Sequence, residues 1–298
     1  MRRLPLCILF LLVWLAPARA QTAEEKRATV AYLQKLQAGD GGFLAAAPHP
    51  TAGRREVSSL RATTSALRAL KYFGGEPRDR DACVKYVQNA FDAQAGGFFD
   101  VQPSVKPDVF ATAAGLMAVV ELKLPAEKYV DPGVKFLGEN ADSFEEIRLA
   151  AAALEVVGKR PPQADAWLEQ ITKVRNPDGT YGKGNGAARD TGGAVVAVLR
   201  LGGKVEGEEK GAALHLLQAG QREDGGFGKA DAKGSDLESS YRVMRAFHML
   251  GAKPDVNKLR DFVTKCRTED GGYGVAPGQP STVSGTYYAA SIRHWLNK

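Results

Sequence analysis

The chain has 298 residues, of which 44% are hydrophobic and 25% charged, with a formal net charge of +6. That apolar content excludes a disordered chain and suits one large domain or two small ones. Its basic residues are scattered among acidic ones, which excludes a nucleic-acid-binding stripe.

The chain opens with Arg2 and Arg3, then an apolar run from Leu4 to Leu15 broken only by Pro5, then Ala18-Arg19-Ala20. This is the pattern of a signal peptide over residues 1–20, cleaved before Gln21, and predicts export to the periplasm or the extracellular space. A membrane-spanning helix needs about 20 apolar residues. The leader run is shorter, and no later run is long enough, so the mature chain is expected to hold no integral membrane segment. The leader carries three arginines and no acid, so the charge of the remainder falls from +6 to +3.

A short motif then recurs along the chain. Asp40-Gly41-Gly42-Phe43 is followed by Ala95-Gly96-Gly97-Phe98 and a worn copy, Asp142-Ser143-Phe144. Asp178-Gly179-Thr180-Tyr181, Asp224-Gly225-Gly226-Phe227 and Asp270-Gly271-Gly272-Tyr273 complete the series. The aromatic residues are spaced by 55, 46, 37, 46 and 46 positions, the mark of a repeat architecture. Each copy is flanked by two helical patterns. The helix before it has one apolar face, as at Val256, Leu259, Phe262 and Val263. The helix after it is apolar on two sides, as from Leu237 to Leu250, and so is buried on two sides. Phe73-Gly74, Leu201-Gly202 and Leu250-Gly251 have the form of helix ends closed by glycine.

The count is twelve helices. An outer set begins near 24, 78, 126, 163, 206 and 255, and an inner set near 57, 107, 143, 187, 235 and 282. In each motif glycine reverses the chain, aspartate braces the turn, and the aromatic ring is buried between hairpins. The terminal repeats resemble the middle ones, whereas an open solenoid needs polar caps. The expected fold is therefore all-α, a closed α6/α6 toroid spanning residues 21–298 as a single domain. Cys83 and Cys266 are read as buried thiols, with a disulfide left open as the alternative.

These turns and inner helices resemble the prenyltransferase and squalene-cyclase repeat superfamily, most of all β subunits of protein geranylgeranyltransferase type II. The resemblance implies a catalytic zinc held by Asp, Cys and His, a lysine on a diphosphate, and a helical partner subunit. Walking the family motif G-G-x-x-G-R-x-x-K-x-x-D-x-C-Y along Gly225 to Ser239 puts the lysine on Lys233 and the zinc aspartate on Asp236. The zinc cysteine falls on Glu238, the last-helix histidine on Gly285, and a further histidine on Asp190. Zinc is thus implied by the family while its Cys and His ligands are replaced. Asp236 and Glu238 stand as the catalytic and metal candidates, and equally as a helix cap with a first-turn acid. The D-x-D-D and D-D-x-x-D motifs of terpene cyclases and synthases are absent.

By helix register, Arg61, Asp108, Glu145, Arg189, Asp190, Asp236, Glu238 and Tyr287 are expected, with Lys233, at the rim of a mostly apolar central cavity, where inner-helix N-termini attract anions; Lys233, Arg61, Arg189, Asp190, Tyr241 and Tyr287 are the substrate- or anion-binding candidates. Two functions follow as expectations. One is binding of an isoprenoid or similar amphiphile in the ring, with or without prenyl transfer. The other is a non-catalytic or carbohydrate- or partner-binding secreted toroid.

Overall fold

A computed structural model describes residues 21–48, 57–101 and 106–298; the expected leader lies outside these. Helices alternate outer and inner along the chain. They are α1 (Ala23–Lys35) and α2 (Leu60–Phe73), α3 (Arg80–Asn89) and α4 (Val109–Glu121), α5 (Val130–Asn140) and α6 (Phe144–Val157). The second half continues with α7 (Ala164–Lys173) and α8 (Ala187–Arg200), α9 (Gly207–Ala219) and α10 (Leu237–Leu250), α11 (Val256–Lys265) and α12 (Val283–Leu296). The even-numbered helices pack side by side in the order 2, 4, 6, 8, 10, 12, and α12 returns to α2, which closes the ring. Two two-residue ribbons, β1 (Phe91–Asp92) with β2 (Gly97–Phe98) and β3 (Tyr273–Gly274) with β4 (Ser281–Thr282), brace two of the turns.

The repeated motif explains the closure. In five turns the aromatic side chain is buried: Phe43, Phe98, Tyr181, Phe227 and Tyr273. The backbone N–H of each donates to a hydroxyl on the next inner helix, Thr63, Thr112, Thr191, Ser240 and Thr286 respectively, at 2.8 to 3.1 Å. That hydroxyl sits one turn into the helix, so strand-like turn and inner helix are fixed to each other. The turn also docks on the following outer helix. A Cβ on Gly225 would lie 2.2 Å from the Lys258 carbonyl oxygen of α11. A Cβ on Gly271 would lie 2.6 Å from the Ala28 carbonyl oxygen of α1, so the last repeat grips the first as the others grip their successors. Thr29 Oγ1 donates to the Gly271 carbonyl oxygen at 2.8 Å across the same seam.

The third hairpin departs from the pattern. Ser143 is the N-cap of α6, with Glu146 completing a capping box, and Phe144 is the first helical residue. Asp142-Ser143-Phe144 is therefore a helix start and not a worn aromatic turn; Ala141 to Ser143 alone join α5 to α6. Cys83 and Cys266 are buried and unpaired, and burial pushes both thiols up to about 12.

Candidate functional site

Inside the ring is a cavity of ≈ 430 Å³, within the range of about 300–1,000 Å³ typical of small-molecule sites. Much of its lining is apolar and aromatic: Ala62, Phe110, Ala113, Ala114, Met117, Leu149, Ala152, Tyr287 and Tyr288. The small residues of α4 and α6 keep those helices thin, as their sequence suggested. The lining is apolar for the larger part, as expected, but Arg61, Arg68, Arg148, Arg200 and Arg242 also line it.

The arginines are ordered by acids. Glu145 in the first turn of α6 accepts from Arg242 at 2.6 and 3.0 Å and from Arg148 at 2.8 and 3.0 Å. Glu238 in the first turn of α10 takes Arg242 at 2.7 Å, Arg189 at 3.1 Å and Lys229 at 3.4 Å. Burial alone would push the Glu145 carboxyl up. The hydrogen bonds and charges of Arg242 and Arg148 outweigh it and hold the carboxyl at about 2, against an ordinary 4.5. Glu238 is lowered in the same way, its burial outweighed by Arg242, Arg189 and Lys229. Gly193 of α8 lies against this network: a Cβ there would stand at ordinary contact distance, 3.7 Å from Arg148 and 3.8 Å from Arg242.

Deeper in the ring, Arg200 donates from Nε to Glu155 at 2.9 Å, and Arg245 donates to both Glu155 oxygens. Arg68 stacks over the Tyr287 ring at 5.3 Å. The Tyr241 and Tyr287 hydroxyls lie 3.1 Å apart. Tyr241 also packs on Tyr288 and Trp295, which with His248 forms an aromatic base.

Of the residues singled out from the sequence, Arg61, Glu238, Tyr241 and Tyr287 line the cavity, and Lys233, Asp190, Arg189 and Asp236 do not. Arg61 is held at the mouth by Asp100 and is 58% exposed. Lys233 is exposed on a loop that Arg222 clasps through the carbonyl oxygens of Lys229, Ala232 and Gly234. Arg189 is tied to Asp190 and Glu238. Asp236 is the N-cap of α10 and accepts from Ser239 N at 2.7 Å and Ser239 Oγ at 2.8 Å.

The donor set does not fit the family zinc. Both Asp236 oxygens are taken by Ser239, and Glu238 is surrounded by three cations. Gly285 stands where the family has histidine, and a Cβ there would meet the Tyr273 carbonyl oxygen at 2.4 Å, leaving no space for a ligand side chain. Among the described residues no three of His, Cys, Asp and Glu converge as a metal site. The sequence reading missed Arg68, Arg148, Arg200, Arg242 and Tyr288. Their signal was arginine on helices otherwise apolar on two sides, in acid–arginine pairs at helical spacing such as Glu145–Arg148 and Glu238–Arg242.

Comparison with known proteins agrees with this architecture. The family model of the prenyltransferase alpha-alpha toroid domain matches residues 5–78, 74–135 and 147–298, and the chain belongs to that family. Drimenyl diphosphate synthase of Streptomyces showdoensis is 29% identical over 187 residues, 58% of this chain and 34% of that protein. The chain thus spans about a third of the length of this curated relative. Candida albicans protein geranylgeranyltransferase-I, solved with GGPP, superposes with a TM-score of 0.65 at 15% identity, covering 80% of this chain and 84% of that one. The type II terpene cyclase MstE from Scytonema, solved with geranylgeranyl dihydroxybenzoate, superposes with a TM-score of 0.62 at 10% identity over 93% and 97%. At those identities the two structures establish the shared fold. Among the described residues no helix is long and apolar enough to cross a membrane.

Proposed function

We propose that the ring binds a single amphiphile of the isoprenoid class, with an anionic head, in its central cavity, and that it does so without zinc. One observation carries this reading: the same ≈ 430 Å³ cavity joins an apolar, aromatic wall to five arginine side chains. A purely hydrocarbon ligand would leave arginine donors desolvated and unpaired, and the alanine, phenylalanine and methionine part of the lining gives a purely polar one nothing to bond. An amphiphile satisfies both surfaces. The two similar structures hold ligands with a prenyl group in this fold, which is consistent with the proposal. Zinc-assisted transfer is not part of it, because the residues at the family's ligand positions are otherwise engaged.

The test is titration of the purified protein with farnesyl diphosphate, farnesol and a short alkyl phosphate, followed by native mass spectrometry. One-to-one binding of farnesyl diphosphate, tighter than farnesol or the alkyl phosphate by about tenfold or more, is expected from a charge-assisted contact added to apolar burial. Absence of any farnesyl diphosphate complex at high micromolar concentration would overturn the reading.

A further inference from the structure

The arginines in and beside the cavity occupy two levels, and their donors are used differently. On the upper level, near the N-termini of α6, α8 and α10, Arg242 makes three bonds to Glu145 and Glu238. Arg148 makes two to Glu145, and Arg189 bonds Asp190 and Glu238. On the lower level stand Arg68, in the second half of α2, and Arg200, the last residue of α8. Among the described residues Arg68 makes one hydrogen bond, to Met117 Sδ at 3.4 Å, a weak acceptor. Its acid, Glu121, stays 3.6 Å away and binds Lys71 at 2.7 Å instead. Arg200 is only 7% exposed and uses Nε alone on Glu155. Its two Nη groups, on a side chain that lines the cavity, have no protein acceptor among the described residues.

Charge is also uneven. Among the described residues, the cavity-lining Arg68 and Arg200 share their acids, Glu121 and Glu155, with Lys71 and Arg245 outside the cavity, so four cations are paired with two acids. The paired hydroxyls of Tyr241 and Tyr287 lie beside them. Burial disfavours the Tyr241 phenolate, but the charges of Arg68, Arg200 and Arg245 and the Tyr287 hydroxyl together outweigh it and lower the Tyr241 hydroxyl's pKa, whereas burial raises that of Tyr287. The same cations attract a small oxyanion placed beside them.

We infer that the cavity floor is a phosphate or diphosphate site, formed by the free donors of Arg68 and Arg200 and the hydroxyls of Tyr241 and Tyr287. An amphiphile enters head first, and Phe110, Ala113, Ala114 and Leu149 hold its chain above the head. This rests on the proposed binding of an anionic amphiphile and adds where the head goes: to the floor, and not to the rim where Lys233 and the helix N-termini stand. Two excess cations match a dianion better than a monocarboxylate. The same chemistry would take free inorganic diphosphate.

Calorimetric titration with farnesyl diphosphate, farnesol and inorganic diphosphate tests the placement. Tyr241→Phe and Tyr287→Phe remove one oxygen each and keep the ring volume, so they remain informative if Arg68→Met or Arg200→Met fails to fold. Each floor substitution is expected to weaken farnesyl diphosphate by about 10- to 100-fold while changing farnesol by no more than about twofold. Lys233→Ala, on the exposed loop outside the cavity, is expected to change it by less than about threefold, as a screened surface charge does. Inorganic diphosphate that binds and weakens with the same floor substitutions makes the free anion a ligand in its own right; diphosphate that binds only with a chain attached assigns the site to the amphiphile's head. Either result keeps the floor site. Farnesyl diphosphate binding that ignores the floor substitutions, or that is lost in Lys233→Ala, overturns the placement while leaving the amphiphile reading intact. A wild-type protein that does not bind farnesyl diphosphate overturns that reading, whether or not it binds farnesol, and the head-first placement with it.

Discussion

Asp236 and Glu238 show how two acids at one helix start divide their work. Asp236 faces the backbone and accepts from the orphan Ser239 N–H in the first turn of α10, while Glu238, two residues on, turns into the ring and balances Arg242, Arg189 and Lys229. Loss of the cap in Asp236→Ala is expected to cost about 1 kcal/mol of stability, read as a shift of the urea midpoint. Chelator treatment of the wild type is expected to leave that midpoint unchanged. One zinc per chain, lost together with stability in Asp236→Ala, would contradict this assignment. The cap was legible in the sequence because capping depends on local chemistry: an acid just ahead of an apolar run. The cavity arginines were not. Acid–arginine pairs at helical spacing mark helix surfaces in general, and on inner helices buried on two sides they do not say whether an arginine faces the lumen or a neighbouring helix.

The hairpins were legible at the level of elements because the turn imposes one chemistry wherever it recurs. The first glycine must adopt positive φ, +91° at Gly271, and must let the backbone of the next outer helix approach. Gly271→Ala combines a left-handed alanine with a clash on Ala28 and is expected to cost about 2–4 kcal/mol. Gly211, on the outer face of α9, has nothing within 4 Å of a Cβ. Gly211→Ala is therefore expected to stabilise by about 0.5–1 kcal/mol through helix propensity. Thermal unfolding of the two variants, shifted in opposite directions, checks that turn glycines and helix glycines differ in role. The α5–α6 connection was misread because an Asp-Ser-aromatic string serves a turn and a capping box alike. What separates them is Glu146 three residues after Ser143, whose carboxylate accepts from the Ser143 N–H at 2.9 Å.

At the scale of the whole molecule, the ring brings together groups that the sequence holds far apart. Glu145 and Arg242 are 97 positions apart, on helices that flank α8, and their bidentate pair crosses the lumen in front of that helix. The pair ties the third hairpin to the fifth independently of the contacts between adjacent hairpins. This link makes a pH-dependent contribution to stability. The Glu145 carboxyl sits at about 2 in the folded ring and near its ordinary 4.5 in the unfolded chain, so on acidification the unfolded chain takes up that proton first. The contribution is complete above about pH 4.5 and fades as pH falls toward 2. Glu145→Gln removes the charge at every pH. Urea unfolding of wild type and variant is therefore expected to show a stability gap favouring wild type at pH 6 that narrows steadily from pH 4.5 downward. Because Glu238, Asp224 and Asp270 are lowered as well, both proteins lose stability in acid. The narrowing of the gap, and not the common loss, is what reports on the crossing pair. A gap that stays constant between pH 6 and pH 3 would mean that Glu145 and Arg242 are held apart by solvent in the folded ring, and that the two halves of the toroid are joined only through neighbouring helices.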